Sequence, residues 1–221
     1  MPLNAYRELF STNRRLLGFG FVTALYSSFG QTYFIGIIGP DIQLEFGLSH
    51  TLWGTIYMIG TLGSAALLPW TGGLIDRFAL RRYTLTACLL LVFACVYIAT
   101  TTGPVTLVLA IFLLRHSGQG LIMHISITSM VRYFDRQRGR AIAFASLGFT
   151  VGEAILPVIA VSTLALIGWR WTYGASAVLI VLTGIPTMLW LLKGHDTVDL
   201  SLIHISEPTR RTPISYAVFC L

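Results

Sequence analysis

Residues 72–82 read "GGLIDRFALRR" and lie between two long apolar runs, 51–71 and 83–101. Three arginines and one carboxylate in a gap this short form a charged turn between two helices. A bilayer-crossing helix needs about 20 mostly apolar residues. Working outward from the gap, six runs meet that length: 16–38, 51–71, 83–101, 104–130, 141–166 and 171–192. Across all 221 residues 55% are hydrophobic and only 11% charged, which excludes an ordinary soluble domain. In lipid each helix must satisfy its own backbone, so the expected fold is an all-α membrane bundle of six transmembrane helices.

The gaps alternate in charge. Arg7, Arg14 and Arg15 precede the first run, and Asp41 and Glu45 follow it without Lys or Arg. Arg77, Arg81 and Arg82 fill the second gap, and the third, "TTTGP", has none. Arg132, Arg136, Arg138 and Arg140 fill the fourth, Arg170 stands alone in the fifth, and Lys193 follows the sixth run. The basic excess, 15 Lys and Arg against 9 Asp and Glu, thus follows topology and gives no nucleic-acid face. The positive-inside rule predicts cytoplasmic ends for the bundle in a bacterial inner (plasma) membrane. Cys88, Cys95 and Cys220 form no CxxC pair and lie near no His at ligand spacing, so neither metal nor cofactor is expected.

An internal echo suggests two three-helix repeats. Gly30-Gln31 in the first run matches Gly118-Gln119 in the fourth, and "GSAALLP" (63–69) matches "GEAILP" (152–157). Units of three spans must be inverted relative to each other, an architecture associated with secondary transporters.

The 72–82 gap resembles the signature loop of the major facilitator superfamily, Gly-x-Leu-Ala-Asp-Arg-x-Gly-Arg-Arg. Gly72, Leu74, Asp76, Arg77 and Arg81 match; Ala79 and Leu80 depart from it. "RHSGQG" (115–120) resembles the family's fourth-helix Arg-x-x-x-Gly-x-Gly pattern, with its first Gly one place early. "GFTVGEAILP" (148–157) resembles the fifth-helix antiporter motif, with Glu153 where that motif has Pro. "RYFDRQRGRA" (132–141) resembles the fourth-to-fifth loop of the monocarboxylate and oxalate–formate branch. The resemblance covers residues 1 to about 195. It implies one six-helix half of a twelve-helix secondary transporter, with a small-molecule substrate between the halves and the carboxy-terminal half outside this chain. It also implies that Gly72, Asp76, Arg77, Arg81 and Arg82 form a conformational latch, Asp76 pairing with a neighbouring guanidinium.

Charges inside a membrane are functional candidates by default. Arg115 lies ~17 Å from the outer end of its run, and Glu153 ~20 Å from the inner end of its own. The two spans are consecutive and antiparallel, so the expectation is that Arg115 and Glu153 approach each other. Two roles remain open: Arg115 meeting an anionic substrate while Glu153 carries a proton, or a structural ion pair that fixes packing. Gln31, Gln119 and Tyr33 are candidate substrate contacts, with packing as the alternative. His124, opposite Arg115 on one helix, reaches the pathway only if Arg115 faces neighbouring helices. Gly60, Gly63, Gly118, Gly120, Gly148 and Gly152 allow close backbone approach.

The leading expectation is proton-coupled transport of a small organic anion by alternating access. The alternatives are a neutral or cationic solute such as a drug, or a membrane protein of another kind. For an intramembrane protease the Ser–His pattern is missing, and for a channel the re-entrant filter segment is missing. Residues 196–199 begin a linker. "LSLIHISEPTRRTPISYAVFCL" (200–221) resembles translated sequencing adapter, with Leu200–Arg210 as its transposase end and Ile214–Leu221 as its flow-cell end. It is therefore expected to be no domain and no seventh span, with His204 and Cys220 outside any site.

Overall fold

A computed structural model describes residues 2–194, with side chains from residue 13. It is all-helical: α1 (Pro2–Ser27), α2 (Thr32–Phe46), α3 (His50–Gly72), α4 (Leu80–Ala99), α5 (Pro104–Leu114), α6 (Met123–Tyr133), α7 (Arg138–Leu179) and α8 (Ile185–Leu191). Among the described residues five segments are long and apolar enough to cross a membrane: Asn13–Phe46, His50–Asp76, Leu80–Ala99, Pro104–Tyr133 and Asp135–Leu191. The fifth has 57 residues. Straight, it would reach ~86 Å, nearly three times the hydrocarbon core. Gly168 interrupts it at φ 75°, ψ 169°, a conformation open to glycine.

The neighbours of α1 reveal the direction of each piece. Before Gly168 the numbers rise together: Gly20 faces Ala145, and Gly148 faces Phe21 and Leu25. After it they oppose: the Tyr26 hydroxyl and Thr183 Oγ1 are 2.6 Å apart, and Gly18 faces Leu191. The chain therefore turns back at Gly168.

Local chemistry accounts for the other ends. Gly47 is left-handed (φ 60°), and the Leu48 N–H donates to the Gln43 carbonyl at 2.9 Å, closing α2. Ser49 caps α3 by accepting the Leu52 N–H at 3.1 Å. Pro104 opens α5, and Thr106 Oγ1 accepts the Gly103 N–H at 3.1 Å.

Two polar clusters tie the ends together. At one end Arg170 donates to Glu45 Oε1 (2.6 and 3.2 Å) and to the Ala99 carbonyl (2.7 Å). The Trp169 indole donates to Glu45 Oε2 at 2.5 Å. The ends of α2 and α4 thus meet the turn at Gly168. At the other end Asp76, just beyond α3, pairs with Arg132 in the last turn of α6. Between the two ends Pro104–Tyr133 is the most buried of the five segments, with Leu107, Ala110, Ile111, Leu114, Ile122 and Ile125 wholly enclosed.

Three spans are not the plain helices expected from their sequence; the sixth contains a π-helical stretch, Ile180–Gly184, and the other two position the candidate site. The first is broken by a 3₁₀ turn, Ser28–Gly30, and an extended Gln31 (φ −84°, ψ 157°). It also continues helically to Phe46, so Asp41 and Glu45 belong to α2 and not to a loose gap. The fourth span contains a π-helical stretch, Arg115–Ile122. Of the candidate features, residues 195–221 lie outside the described residues.

Candidate functional site at the break of the first span

The irregular stretches of the first and fourth spans face each other. Gly30 lies against the Leu114 carbonyl and Gly118 Cα, and a methyl placed on Gly118 would come 2.7 Å from Gly30 Cα. No side chain separates the two backbones, and glycine at both positions makes that approach possible. The crossing brings residues 28–33 beside residues 114–119.

Arg115 lies just beyond the crossing and is 7% exposed. Its Nη1 donates to Thr32 Oγ1 at 2.9 Å, and the Tyr57 hydroxyl donates to the same oxygen at 3.0 Å. The guanidinium carbon sits 5.5 Å from the centre of the Tyr57 ring. Its Nε has no acceptor. Among the described residues no carboxylate forms an ion pair with it. Above this corner Thr32, Ile35, Gly36, Trp53, Gly54 and Tyr57 line a cleft of about 240 Å³.

The expected Arg115–Glu153 approach does not occur. Glu153 is exposed on the first piece of α7, and no described ion pair includes it. Its helix runs beside α1, where Gly152 abuts Ser28 Oγ and would bring a methyl 3.2 Å from the Tyr33 hydroxyl. Arg115 points to the α2–α3 side of the first span. The depth argument placed both charges at similar levels but could not show that the first span lies between them. Ser28 Oγ and the Tyr33 hydroxyl are both buried here and interact with each other.

The other candidates are dispersed. Gln31 is buried, its Nε2 3.5 Å from Ser27 Oγ. Gln119 is exposed. His124 is half-buried 3.3 Å from Thr128 Oγ1, and Gly72 packs on its ring, which places it beneath the charged turn and away from Arg115. Asp76 takes Arg132 as its ion-pair partner, where the sequence pointed to Arg77, Arg81 or Arg82. The last three are exposed beside it. Sequence reasoning missed Thr32, Tyr57 and Trp53 at the cleft and Arg132 at the turn. The signal for Arg132 was its position one helix end away from Asp76; nothing in the sequence marked the other three. Cys88 and Cys95 are free and buried, with Cys88 Sγ 3.5 Å from Met188 Sδ.

The model of the Major Facilitator Superfamily matches residues 20–216. The chain is 28% identical over 159 residues to the MFS transporter asaE of Aspergillus flavus, covering 71% of this chain and 36% of that protein. It is 22% identical over 202 residues to the quinolone resistance protein NorB of Staphylococcus aureus, covering 91% of this chain and 42% of that protein. It thus spans well under half the length of these relatives. Its fold is similar to a crystal structure of the peptide transporter POT, a mutant in complex with alafosfalin. That match has a TM-score of 0.61 and 20% identity, over 80% of this chain and 38% of that one. With the family model matching 197 of its 221 residues, the chain belongs to the Major Facilitator Superfamily, a family of membrane transporters and not of enzymes.

Proposed function

We propose that this chain is the amino-terminal six-span half of a secondary transporter that moves a small organic anion by alternating access, with protons as the coupling ion. One observation carries the anion: a guanidinium buried at mid-span, held by a hydroxyl and an aromatic ring and left without a carboxylate. A buried cation in this setting is costly unless an anion joins it. Glu153, exposed and separate from Arg115, is the proton carrier. Tyr33 and Gln31 line the pathway beside the break, Gln119 faces the partner half, and His124 backs the latch formed by Gly72, Asp76, Arg77, Arg81 and Arg82.

The turn at Gly168 supports six spans, and the crossing supports two inverted repeats. The same spacing of 88 residues separates Gly30 from Gly118 and Gly60 from Gly148. Gly30 meets Gly118 itself; Gly60 packs on Ile111 and Phe112, and Gly148 packs on Phe21 and Leu25. A two-fold axis through the crossing would exchange these contacts. The bundle lies in a bacterial inner membrane with its Asp76–Arg132 end cytoplasmic. Transport requires a second six-helix half, and residues 200–221 are adapter-derived. In the complete reading frame the sequence should depart from this one after Asp199 and supply further spans.

The test is uptake by that full-length protein in vesicles with an imposed proton gradient. Arg115→Gln should abolish anion uptake, and Glu153→Gln should remove its pH dependence. Uptake whose pH profile is unchanged in Glu153→Gln refutes proton coupling at this residue. Concentrative uptake by the 221-residue chain alone refutes the need for a second half. The likeness to a quinolone resistance protein favours a second reading, export of an amphipathic drug, in which efflux persists in Arg115→Gln.

A further inference from the structure

The seam between the second and fourth spans holds two imidazole rings. His116 is 3% exposed, its ring stacked on Phe112 one turn earlier (5.6 Å, 7°). Its Nε2 lies 3.2 Å from Thr71 Oγ1, near the end of α3, and the Ser64 carbonyl is close by. Thr71 Oγ1 donates to the Leu67 carbonyl at 3.1 Å, so toward the ring it accepts, and the ring donates from Nε2. Further along the same span His124 backs on Gly72, whose added methyl would come 3.4 Å from its Nε2. Leu68 wedges between the rings: its Cδ1 would lie 3.7 Å from that methyl and 3.3 Å from one on Gly120, which in turn would lie 3.9 Å from His116 Nδ1. The end of α3 is therefore held at four points. His116 holds the Thr71 side chain, the Tyr83 hydroxyl donates to the Thr71 carbonyl at 2.8 Å, His124 backs Gly72, and Arg132 holds Asp76.

The charges around the rings are few. Asp76, beyond α3, is within electrostatic reach of His124 but is committed to Arg132. Tyr83 is the titratable group of α4 at this level, with Arg81 and Arg82 exposed at the start of that helix. Arg115 and Arg132 belong to the rings' own span, and α5 presents the Phe112 ring. The first span has its charges at its two ends, Arg14 and Arg15 at one and Asp41 and Glu45 at the other. Among the described residues no carboxylate pairs with either ring. A second proton on His116 would thus be a buried charge next to Arg115, costly unless the seam opens to water. We infer that His116 and His124 are positioning residues of the latch: as neutral rings they hold the end of the second span against the fourth, and protonation releases it. The inference rests on the latch reading above and adds what makes the latch answer to pH. Each released ring carries one added proton, taken from water at the turn.

The test follows the seam in the 221-residue chain in lipid nanodiscs. Spin labels are placed by Trp70→Cys on α3 and Val131→Cys on α6, both exposed, in a chain with Cys220→Ser; Cys88 and Cys95 are too buried to label. Double electron–electron resonance should give one short distance at pH 8. A longer population should grow about fivefold or more by pH 5, across the range in which histidine titrates. His116→Asn and His116→Gln keep an N–H donor for Thr71 and take no proton. Whichever retains native helicity should keep the short distance and lose most of the pH response, and adding His124→Gln should remove the rest. A wild-type distance that ignores pH from 5 to 8 overturns the inference and leaves the latch standing. So does a full pH response in the doubly substituted chain, which would mean that a carboxylate is what titrates. Opening at every pH in both His116 variants also overturns it, because the ring would then be packing only. Asp76→Asn tests the latch separately. A longer population at pH 8 supports the latch; unchanged distances with the pH response intact refute Asp76 as its anchor and support the histidines.

Discussion

Replacing Gly118 by alanine should loosen the crossing on which the candidate site depends. The added methyl would meet Gly30 Cα at 2.7 Å, Gly30 N at 2.8 Å and the Ser27 carbonyl oxygen at 3.0 Å. All three are backbone atoms, so none can rotate away. Carbon atoms prefer about 3.5–4.0 Å, so the first and fourth spans must separate by about 1 Å. Overpacking of this kind costs about 1–3 kcal/mol, and helix propensity returns up to about 1 kcal/mol of it. Gly54 is the control: no atom lies within 4 Å of its added methyl, so only the propensity gain remains. Gly120 is a second control, because its methyl meets first the Leu68 Cδ1, at 3.3 Å, and that side chain can turn. Gly118→Ala should therefore be about 1–3 kcal/mol less stable than Gly54→Ala, with Gly120→Ala near wild type. Unfolding of the purified chain in mixed micelles against rising SDS measures the differences. The separation should also break the 2.9 Å bond from Arg115 to Thr32, so anion uptake by the full-length protein should weaken alongside. Equal stability of Gly118→Ala and Gly54→Ala would show that the two backbones are not in contact.

The charged ends give contrasting expectations. Asp76→Asn should change stability by no more than about 1 kcal/mol in the same SDS titration, since its carboxylate is 70% exposed. A loss beyond about 2 kcal/mol would mean that Asp76 is a structural anchor and not a latch. Glu45→Gln removes the charge opposite Arg170 and leaves one amide oxygen where Arg170 and Trp169 now use two, on partly exposed groups, and should cost about 1 kcal/mol and raise protease cleavage near Gly168. Cys88 and Cys95, 1% and 0% exposed, should resist a membrane-permeant maleimide in the folded chain and react in SDS; labelling of either in lipid would contradict their packing.

What the sequence made legible was whatever depends on composition along one helix. Apolar length located the helices, and the charged gap at 72–82 identified the family. What it hid depends on which neighbour a side chain meets. Thr32, Tyr57 and Trp53 are common membrane-helix residues with no distinguishing spacing. They become a site because the first span unwinds at Gln31, and "SSFGQT" (27–32) contains no proline to announce it. The Arg115–Glu153 expectation failed for the same reason. Depth along a helix axis is readable from residue counts, but azimuth around the bundle is not, and Glu153 faces the Tyr33 side of the first span while Arg115 faces Thr32 and Tyr57.

That separation bears on coupling. Had Arg115 and Glu153 formed a contact pair, protonating Glu153 would release Arg115 directly, and one switch would serve both substrate and proton. With the broken first span between them, the two charges communicate through its geometry. Gly30 is clamped on Gly118, the Ser28 and Tyr33 hydroxyls lie on the Glu153 side, and Thr32 lies on the Arg115 side. A change on one side reaches the other only if the segment 28–32 has two arrangements with different affinities for each ligand. Its irregular backbone makes it the segment best suited to that role, because shifting it breaks fewer helical hydrogen bonds than bending an intact span.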